Sequence, residues 1–185
     1  MKHLLALALG LAALTTASFA QNPVTADSPF QVLYFTNISA GGSVVNMIDT
    51  GANGTSGSMC VNIYASSPST GDVVSCCSCL ISPHSVANVT LKTILLGVAP
   101  APNSVEIEAI ASQGPTCNPG SVSTLSSGFA AWGTTAHSVP NAKTYYYTET
   151  AFTPSTLSAA ELSHLTAQCG FLHGGMCSIC NDGGE

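Results

Sequence analysis

The chain has 185 residues, of which only three are basic and nine are acidic, and its formal net charge is −6 at pH 7. Proteins that bind nucleic acids or anionic membranes use many basic side chains to replace the counterions of phosphates, so this composition excludes both classes of function. Because charged residues make up only 6% of the chain, repulsion between copies is weak. The partners that this surface permits are a second copy of the chain or a cell-surface polymer.

Residues 1–20 have the three parts of a secretory signal peptide. Lys2 supplies the basic start, residues 4–14 form an apolar run, and the small residues Ser18 and Ala20 precede the expected cleavage site. The apolar run is shorter than the ~20 residues that a membrane-spanning helix needs. We therefore expect cleavage after Ala20, no membrane insertion of the mature protein, and a location that is secreted, extracellular or periplasmic.

The mature chain is expected to contain one domain. Residues 21–29 are polar, include two prolines and are predicted to form a flexible leader. Residues 30–185 are long enough to bury a core of their own. They are predicted to form a single β-rich domain that ends in a helix and a cysteine-rich tail.

Short apolar or alternating runs separated by turn-forming residues predict the strands of this domain. In chain order, the expected strands are 30–38, 43–48, 58–65, 72–80, 86–95, 104–111, 129–132 and 143–152. Residues 113–128 are rich in Gly, Pro and Ser and are predicted to form a long loop held by Cys117. This spacing is typical of a mainly β fold, an antiparallel β-sandwich or barrel stabilised by disulfides, with one C-terminal α-helix.

The C-terminal helix is indicated by a capping box and an apolar face. Ser158 and Glu161 match the capping box, and Gly170 is expected to end the helix. Four residues fall on the face that should pack on the β-sheet: Leu162, Leu165, Cys169 and Leu172.

An even number of cysteines in an exported chain predicts a disulfide framework. The eight are Cys60, Cys76, Cys77, Cys79, Cys117, Cys169, Cys177 and Cys180. Strands 58–65 and 72–80 should form a hairpin, which favours a local bridge from Cys60 to Cys76 or Cys77.

The other cysteines are placed by strand alternation and by their position in the chain. Alternation puts Cys77 and Cys79 on one face of their strand and Cys76 on the other. The three C-terminal cysteines are expected to tie the tail to itself or to the β body. One of the three cysteines in strand 72–80 is the candidate distant partner, with Cys117 as another.

The C-terminal cysteines also permit two other interpretations. Cys169, His173, Cys177 and Cys180 have spacings tolerable for zinc, and Cys177 with Cys180 has the spacing of a thiol–disulfide exchange motif. Because disulfides are the usual state of cysteines outside the cell, the sequence favours bridges over both alternatives. We therefore predict no metal and no other cofactor.

The residues from Met47 to Ala52, with the sequence Met-Ile-Asp-Thr-Gly-Ala, resemble the active-site signature of retropepsin-like aspartic proteases. The resemblance implies that Asp49 shares a proton with its counterpart in a second subunit and activates water. Residues 94–97, Ile-Leu-Leu-Gly, would be the supporting apolar stretch. A strand that ends in Asp-Thr-Gly is also ordinary turn chemistry, and this structural interpretation remains open.

Two further groups of side chains are candidates for a site. Glu106 and Glu108 alternate along one strand and share a face, either as a glycosidase pair or as a solvated strand face, and the second interpretation is favoured. Trp132 and the run Tyr145, Tyr146 and Tyr147 are the candidate ligand-binding residues for a sugar, with an ordinary aromatic strand as the alternative.

Residues 60–64, Cys-Val-Asn-Ile-Tyr, followed by residues 75–79, Ser-Cys-Cys-Ser-Cys, resemble the core of an uncharacterised group of secreted cysteine-rich bacterial proteins. The resemblance implies export and disulfides, and it implies no activity. Since no convergent catalytic set stands out, the sequence favours a secreted structural or cell-surface module without catalytic activity. The alternatives are a carbohydrate-binding or small-ligand-binding module and an aspartic hydrolase at Asp49.

Overall fold

The computed structural model describes residues 28–52, 57–141, 144–172, 175–176 and 180–182. The signal peptide predicted at 1–20 lies outside these residues, as does most of the leader predicted at 21–29. The α-helices are α1 (Leu91–Ile94) and α2 (Ala159–Leu172), and Ile38–Ala40 form a short 3-10 helix. The strands are β1 (Phe30–Thr36), β2 (Val44–Asp49), β3 (Met59–Ser66), β4 (Val73–Ile81), β5 (Val86–Thr90), β6 (Ser104–Gln113), β7 (Phe129–Ser138), β8 (Tyr145–Ala151), β9 (Thr153–Pro154), β10 (Gly175–Met176) and β11 (Asn181–Asp182).

The strands form two sheets that pack face to face. The six-stranded sheet has the order β10-β4-β3-β6-β1-β9, and the five-stranded sheet has the order β11-β5-β2-β7-β8. The long strands pair antiparallel, and the short β10 pairs parallel with β4. The prediction of a mainly β, antiparallel fold with a C-terminal helix is confirmed, and the arrangement is that of a sandwich.

The main core lies between the two sheets. Inward side chains of both sheets, among them Phe35, Met47, Ile63 and Phe129, are almost completely buried in one cluster. A Cβ atom at Gly133 would overlap the side chains of β1, so glycine lets β7 approach that strand closely.

A second, smaller core lies outside the six-stranded sheet. There Leu165 and Cys169 of α2 pack with Tyr64, Cys76 and Ile110 of the sheet. Because this sheet is covered on both faces, every residue of β3 is buried. The prediction that an apolar face of the helix packs on the β body is confirmed for Leu165 and Cys169.

The C-terminal end of α2 differs from the sequence expectation. Leu172, predicted on the packed face, is 46% exposed. Gly170, predicted to end the helix, lies inside it, since α2 continues to Leu172. Gly170 does not have the positive φ with which a glycine ends a helix, so the chain passes through it without a break.

The predicted strand 86–95 is half helix. Strand β5 ends at Thr90, whose Oγ1 accepts a hydrogen bond of 3.1 Å from the N–H of Thr93. This N-cap starts α1, where Leu91 and Ile94 are buried. The apolar pattern of the segment was visible in the sequence, but the capping role of a threonine inside it was not recognised.

Three disulfides are described, and each joins distant parts of the chain. They are Cys60–Cys117, Cys76–Cys169 and Cys79–Cys180, with sequence separations of 57, 93 and 101 residues. Cys77 is also disulfide-bonded, and Cys177 lies outside the described residues. The predicted disulfide framework, the attachment of the tail to the β body and the anchoring of loop 113–128 by Cys117 are therefore confirmed.

The predicted local bridge from Cys60 to Cys76 or Cys77 is wrong. In the hairpin, Cys60 lies opposite Leu80, whereas Cys76 lies opposite Tyr64. The first residues of one hairpin strand pair with the last residues of the next, so a cysteine at the start of β3 is far from the middle of β4. The predicted alternation is right, since Cys77 and Cys79 belong to the inner core and Cys76 to the outer one.

Candidate functional site

The Asp-Thr-Gly segment forms a tight turn at the end of β2. Asp49 is 2% exposed, and its Oδ1 accepts a hydrogen bond of 2.8 Å from the N–H of Gly51. The hydroxyl of Thr50 donates to the carbonyl oxygen of Gly128 at 2.8 Å. Gly51 has a φ of +74°, and a Cβ atom there would overlap the ring of His84. Each of the three residues thus has a structural role in the turn.

The segment offered as support for a protease-like site is not a strand. Residues 94–97 form the end of α1 and the turn that follows it, and Leu96 is 75% exposed. The protease interpretation of Asp49 therefore rests only on the resemblance of residues 47–52 to the active-site signature.

The candidate zinc and redox residues divide between described and undescribed parts of the chain. Cys169 and Cys180 are bonded to Cys76 and Cys79, so their sulfur atoms are not thiolates that could bind zinc. Because Cys180 is bonded to Cys79, it does not form with Cys177 the pair that a thiol–disulfide exchange motif requires. His173 and Cys177 lie outside the described residues.

The candidate ligand-binding aromatic residues lie on β7 and β8 at one end of the five-stranded sheet. In the strand register, Tyr147 lies opposite Ala136 and Tyr145 lies opposite Ser138. Ala136 and Ser138 lie four and six residues after Trp132 on β7, and side chains an even number of residues apart on a strand share a face. Trp132, Tyr145 and Tyr147 therefore all lie on the outer face of the sheet. We call Trp132, Tyr145 and Tyr147 the aromatic face.

The rings of the aromatic face are accessible. Tyr145 is 50% exposed and Tyr147 is 57% exposed, while Trp132 is half-buried. The Tyr147 hydroxyl and a ring carbon lie within 3.8 Å of where a Cβ atom of Gly42 would stand, as does the methyl group of Ala136. The Tyr147 side chain therefore reaches across β7 toward Gly42, and more than half of it remains accessible to solvent.

Polar side chains lie between the aromatic rings. Thr134 and Glu149 are opposite each other in the register between Trp132 and Tyr147. Asn46 on β2 lies beside Trp132, and its amide donates to the Thr134 hydroxyl at 3.0 Å. The aromatic face is therefore a row of rings with hydrogen-bonding groups between them.

Tyr146 points away from the aromatic face. It lies opposite His137, and the two rings are stacked with centroids 4.7 Å apart and planes 12° apart. The structure therefore brings together three of the four predicted ligand-binding residues and separates Tyr146 from them, as strand alternation requires.

A second polar feature lies between α2 and the six-stranded sheet. It is a groove of about 520 Å³, and its titratable lining residues are Glu106, Glu108, Glu161 and His164. Glu108 is only 8% exposed and accepts a hydrogen bond of 3.0 Å from the Ser66 hydroxyl. The expectation that both carboxylates of β6 are solvated is wrong for Glu108, because α2 covers that face of the sheet.

The environment of Glu108 favours its protonated form. Burial raises the pKa of Glu108 from 4.5 to about 7, and the hydrogen bond from Ser66 opposes this change. The negative charges of Glu161 and Glu106 raise this pKa further, as does a hydrogen bond with the Glu161 carboxyl group. Glu108 and Glu161 line the same groove, and a hydrogen bond between two carboxyl groups needs a proton on one of them.

Glu161 is the groove residue that sequence reasoning assigned only to capping. Its N–H does donate to the Ser158 hydroxyl at 3.0 Å, which confirms the cap. Glu161 also lines the groove together with Glu108, which is 53 positions earlier in the chain. The sequence carries a signal for a cap but none for a contact between a helix and a strand so far apart.

Comparison of the chain with protein-family models, with curated proteins and with solved structures finds no match. Among the described residues, no helix has the length and apolar character needed to cross a membrane. The chemistry of the aromatic face and of the groove beside α2 is therefore the basis for a functional assignment.

Proposed function

We propose that this protein is an exported, disulfide-stabilised module that binds an uncharged carbohydrate chain on the aromatic face. The observation that carries the proposal is the shared, accessible side of Trp132, Tyr145 and Tyr147 on two paired strands. Aromatic rings offer a flat apolar surface on which the C–H side of a sugar ring stacks, and a buried ring would lack this access.

The polar residues of the aromatic face support a sugar ligand in particular. Asn46, Thr134 and Glu149 offer amide, hydroxyl and carboxylate groups beside the rings. Sugar hydroxyls both donate and accept hydrogen bonds, so they pair with all three kinds of group. A purely apolar partner would leave these groups without hydrogen bonds at the interface.

The spacing of the rings favours a chain over a single sugar. Trp132 is four residues along β7 from Ala136, the cross-strand partner of Tyr147, which is about 13 Å at the usual rise of a strand. Tyr145 lies two residues further along the same row. A single sugar ring cannot stack on both ends of such a row, whereas an oligosaccharide laid along it contacts all three rings.

The charge of the protein favours a neutral polymer. The chain has only three basic residues and a net charge of −6, and Glu149 stands within the row. A polyanionic glycan would meet like charge and no basic partner. Together with the expected export signal, this supports binding to an uncharged polysaccharide outside the cell.

Trp132 makes binding directly measurable, because it is the only tryptophan in the chain. We expect its fluorescence to change on titration with soluble oligosaccharides of cellulose, chitin or mannan, and longer oligomers to bind more tightly than the monosaccharide. Co-sedimentation with the insoluble polymers gives an independent readout. Unchanged fluorescence and no co-sedimentation with any of the three polymers would contradict the proposal.

Tyr147→Ala is the decisive variant, with Tyr146→Ala as its matched control. The two residues are neighbours on β8 with exposures of 57% and 55%, but they lie on opposite faces. We expect Tyr147→Ala to weaken binding on the order of tenfold, equivalent to about 1.4 kcal/mol, and Tyr146→Ala to leave it unchanged. Equal effects of the two variants would place the binding surface elsewhere.

A structural role in an extracellular assembly is the second candidate function. It is favoured by β8, which is the last strand of its sheet and is exposed at all seven positions. Edge strands of this kind can pair with another chain, and few charges oppose association here. Concentration-dependent oligomers in sedimentation velocity would support this role, and a monomer at all concentrations would exclude self-assembly through β8.

A further inference from the structure

Helix α2 is attached to the six-stranded sheet differently at its two ends. From its middle onward, the helix is fixed by the buried Leu165 and by Cys169, which is bonded to Cys76. In its first turns Ala159 and Ala160 are exposed, and Glu161 and Leu162 are only half-buried. Leu157 and Leu162 pack against the outer core at this end, and its polar attachment is the groove that Glu161 and Glu108 line together.

Among the described residues that line the groove around Glu108, several are acids and the one basic side chain is a histidine. Glu106 lies two residues away on the same face of β6, and Glu161 and His164 line the groove from α2. Strand β1 places the apolar Val32 beside Glu108.

Strand β3 adds Ser66 and Tyr64 to these surroundings. The Tyr64 hydroxyl donates to the carbonyl oxygen of Pro119 at 2.7 Å, and burial, together with the charge of Glu108, raises its pKa. Tyr64 therefore stays neutral. If Glu108 loses its proton, the described groups that face it offer two carboxylates and no fixed positive charge.

We propose that the Glu108–Glu161 contact is a proton-dependent latch that holds the first turns of α2 on the sheet and opens as the medium becomes alkaline. With one proton shared, the two carboxyl groups attract each other through a hydrogen bond. Without it, two negative charges face each other beside Glu106. The disulfide and Leu165 keep the other half of the helix in place, so opening moves only the end that borders the groove.

The direction of the pH dependence follows from proton uptake. The pKa of Glu108 rises from 4.5 to about 7 when the helix is docked. The docked state therefore holds a proton that the open state releases, and docking is most favourable below about pH 4.5. It weakens as the pH rises from there to about 7, by at most tenfold per pH unit, and changes no further above that range.

Hydrogen exchange of the α2 amides tests the latch on the full-length, oxidised protein. After correction for the intrinsic rate, we expect protection in the first turns of α2 to fall by at least tenfold between pH 5 and pH 8. Protection around Cys169 should stay constant. Protection of the first turns that is equal at the two pH values would overturn the proposal.

Two variants assign the effect to the latch. Glu108→Gln and Glu161→Gln each remove one ionising group and keep an amide that can hydrogen-bond to the remaining one, so both should hold α2 closed at pH 8. Glu149→Gln removes an exposed carboxylate on β8 and should keep the wild-type pH dependence.

If Glu108→Gln fails to fold, Glu161→Gln alone decides, since Glu161 is only half-buried and its capping group is the backbone N–H. Opening of Glu161→Gln that matches the wild-type protein at every pH would overturn the latch. This test does not depend on carbohydrate binding.

Discussion

Strands β3 and β8 both carry tyrosine, but they are opposite in their surroundings. Strand β3 is buried at all eight positions, and β8 is exposed at all seven. The difference comes from their neighbours: β3 lies inside a sheet that has the second sheet on one face and α2 on the other, whereas β8 ends its sheet. Burial is therefore set by the layers around a strand as well as by the strand's own sequence.

The comparison also separates two uses of tyrosine. Tyr64 on β3 is 0% exposed and donates its hydroxyl proton to the carbonyl oxygen of Pro119. Tyr147 on β8 lies on the outer face of its sheet and is 57% exposed. The same residue type thus fixes a loop in one sheet and offers a surface for a ligand in the other.

The largest expected effect comes from Tyr64→Ala in the centre of β3. Removing a fully buried aromatic ring should lower the free energy of unfolding by about 3 to 5 kcal/mol, measured by urea denaturation. Tyr64→Phe removes only the hydrogen bond and should cost about 1 kcal/mol. Tyr146→Ala on β8 should stay within about 0.5 kcal/mol of the wild-type protein. If Tyr64→Ala and Tyr146→Ala cost the same, the contrast between the two strands would be wrong.

The second prediction concerns the disulfide that holds α2 over β3. Replacing both Cys76 and Cys169 by alanine should destabilise the protein by about 2 to 5 kcal/mol, measured by thermal and urea denaturation. Hydrogen exchange should increase in α2 and in the middle of β3, and should not change in β7. An increase confined to the five-stranded sheet would show that α2 is not the outer layer of β3.

The smallest effect is expected at the start of α2. Ser158→Ala removes the hydroxyl that accepts the Glu161 N–H and should cost about 1 kcal/mol. Ser163→Ala, on the exposed side of the same helix, is the matched control and should be neutral. Equal stability of both variants would show that the cap does not contribute to holding α2 on the sheet.

Periodic patterns in the sequence predicted most of the strands and the helix. The alternation of Cys76 with Cys77 and Cys79 gave the correct faces, since that property depends only on the strand itself. The predicted disulfide was wrong where the true partner cysteine lies outside the β3–β4 hairpin. Cys60 was assigned to its hairpin neighbour, but its partner is Cys117 in the loop that follows β6.

For the candidate sites as well, the sequence predicted properties of single strands but not contacts between distant elements. Trp132 was recognised as a candidate, and strand register then showed that Tyr145 and Tyr147, but not Tyr146, share its face. For Glu106 and Glu108 the shared face was predicted, but the helix that covers it was not. The alternation of residues along a strand predicts which side chains share a face, but only the packed fold shows which element covers that face.

The three described disulfides together close a loop around every peptide bond from residue 60 to residue 180. A single backbone cut by an extracellular protease within this span would leave the two pieces covalently joined. Strands β1 and β2 at the N-terminal end of the described chain, and the short β11 at its C-terminal end, lie outside this span. Strands β1 and β2 are held by strand pairing and by side chains in the main core. A cut between β2 and β3 would therefore leave the two N-terminal strands attached to the molecule by noncovalent contacts only, while the rest stays covalently joined until its disulfides are reduced.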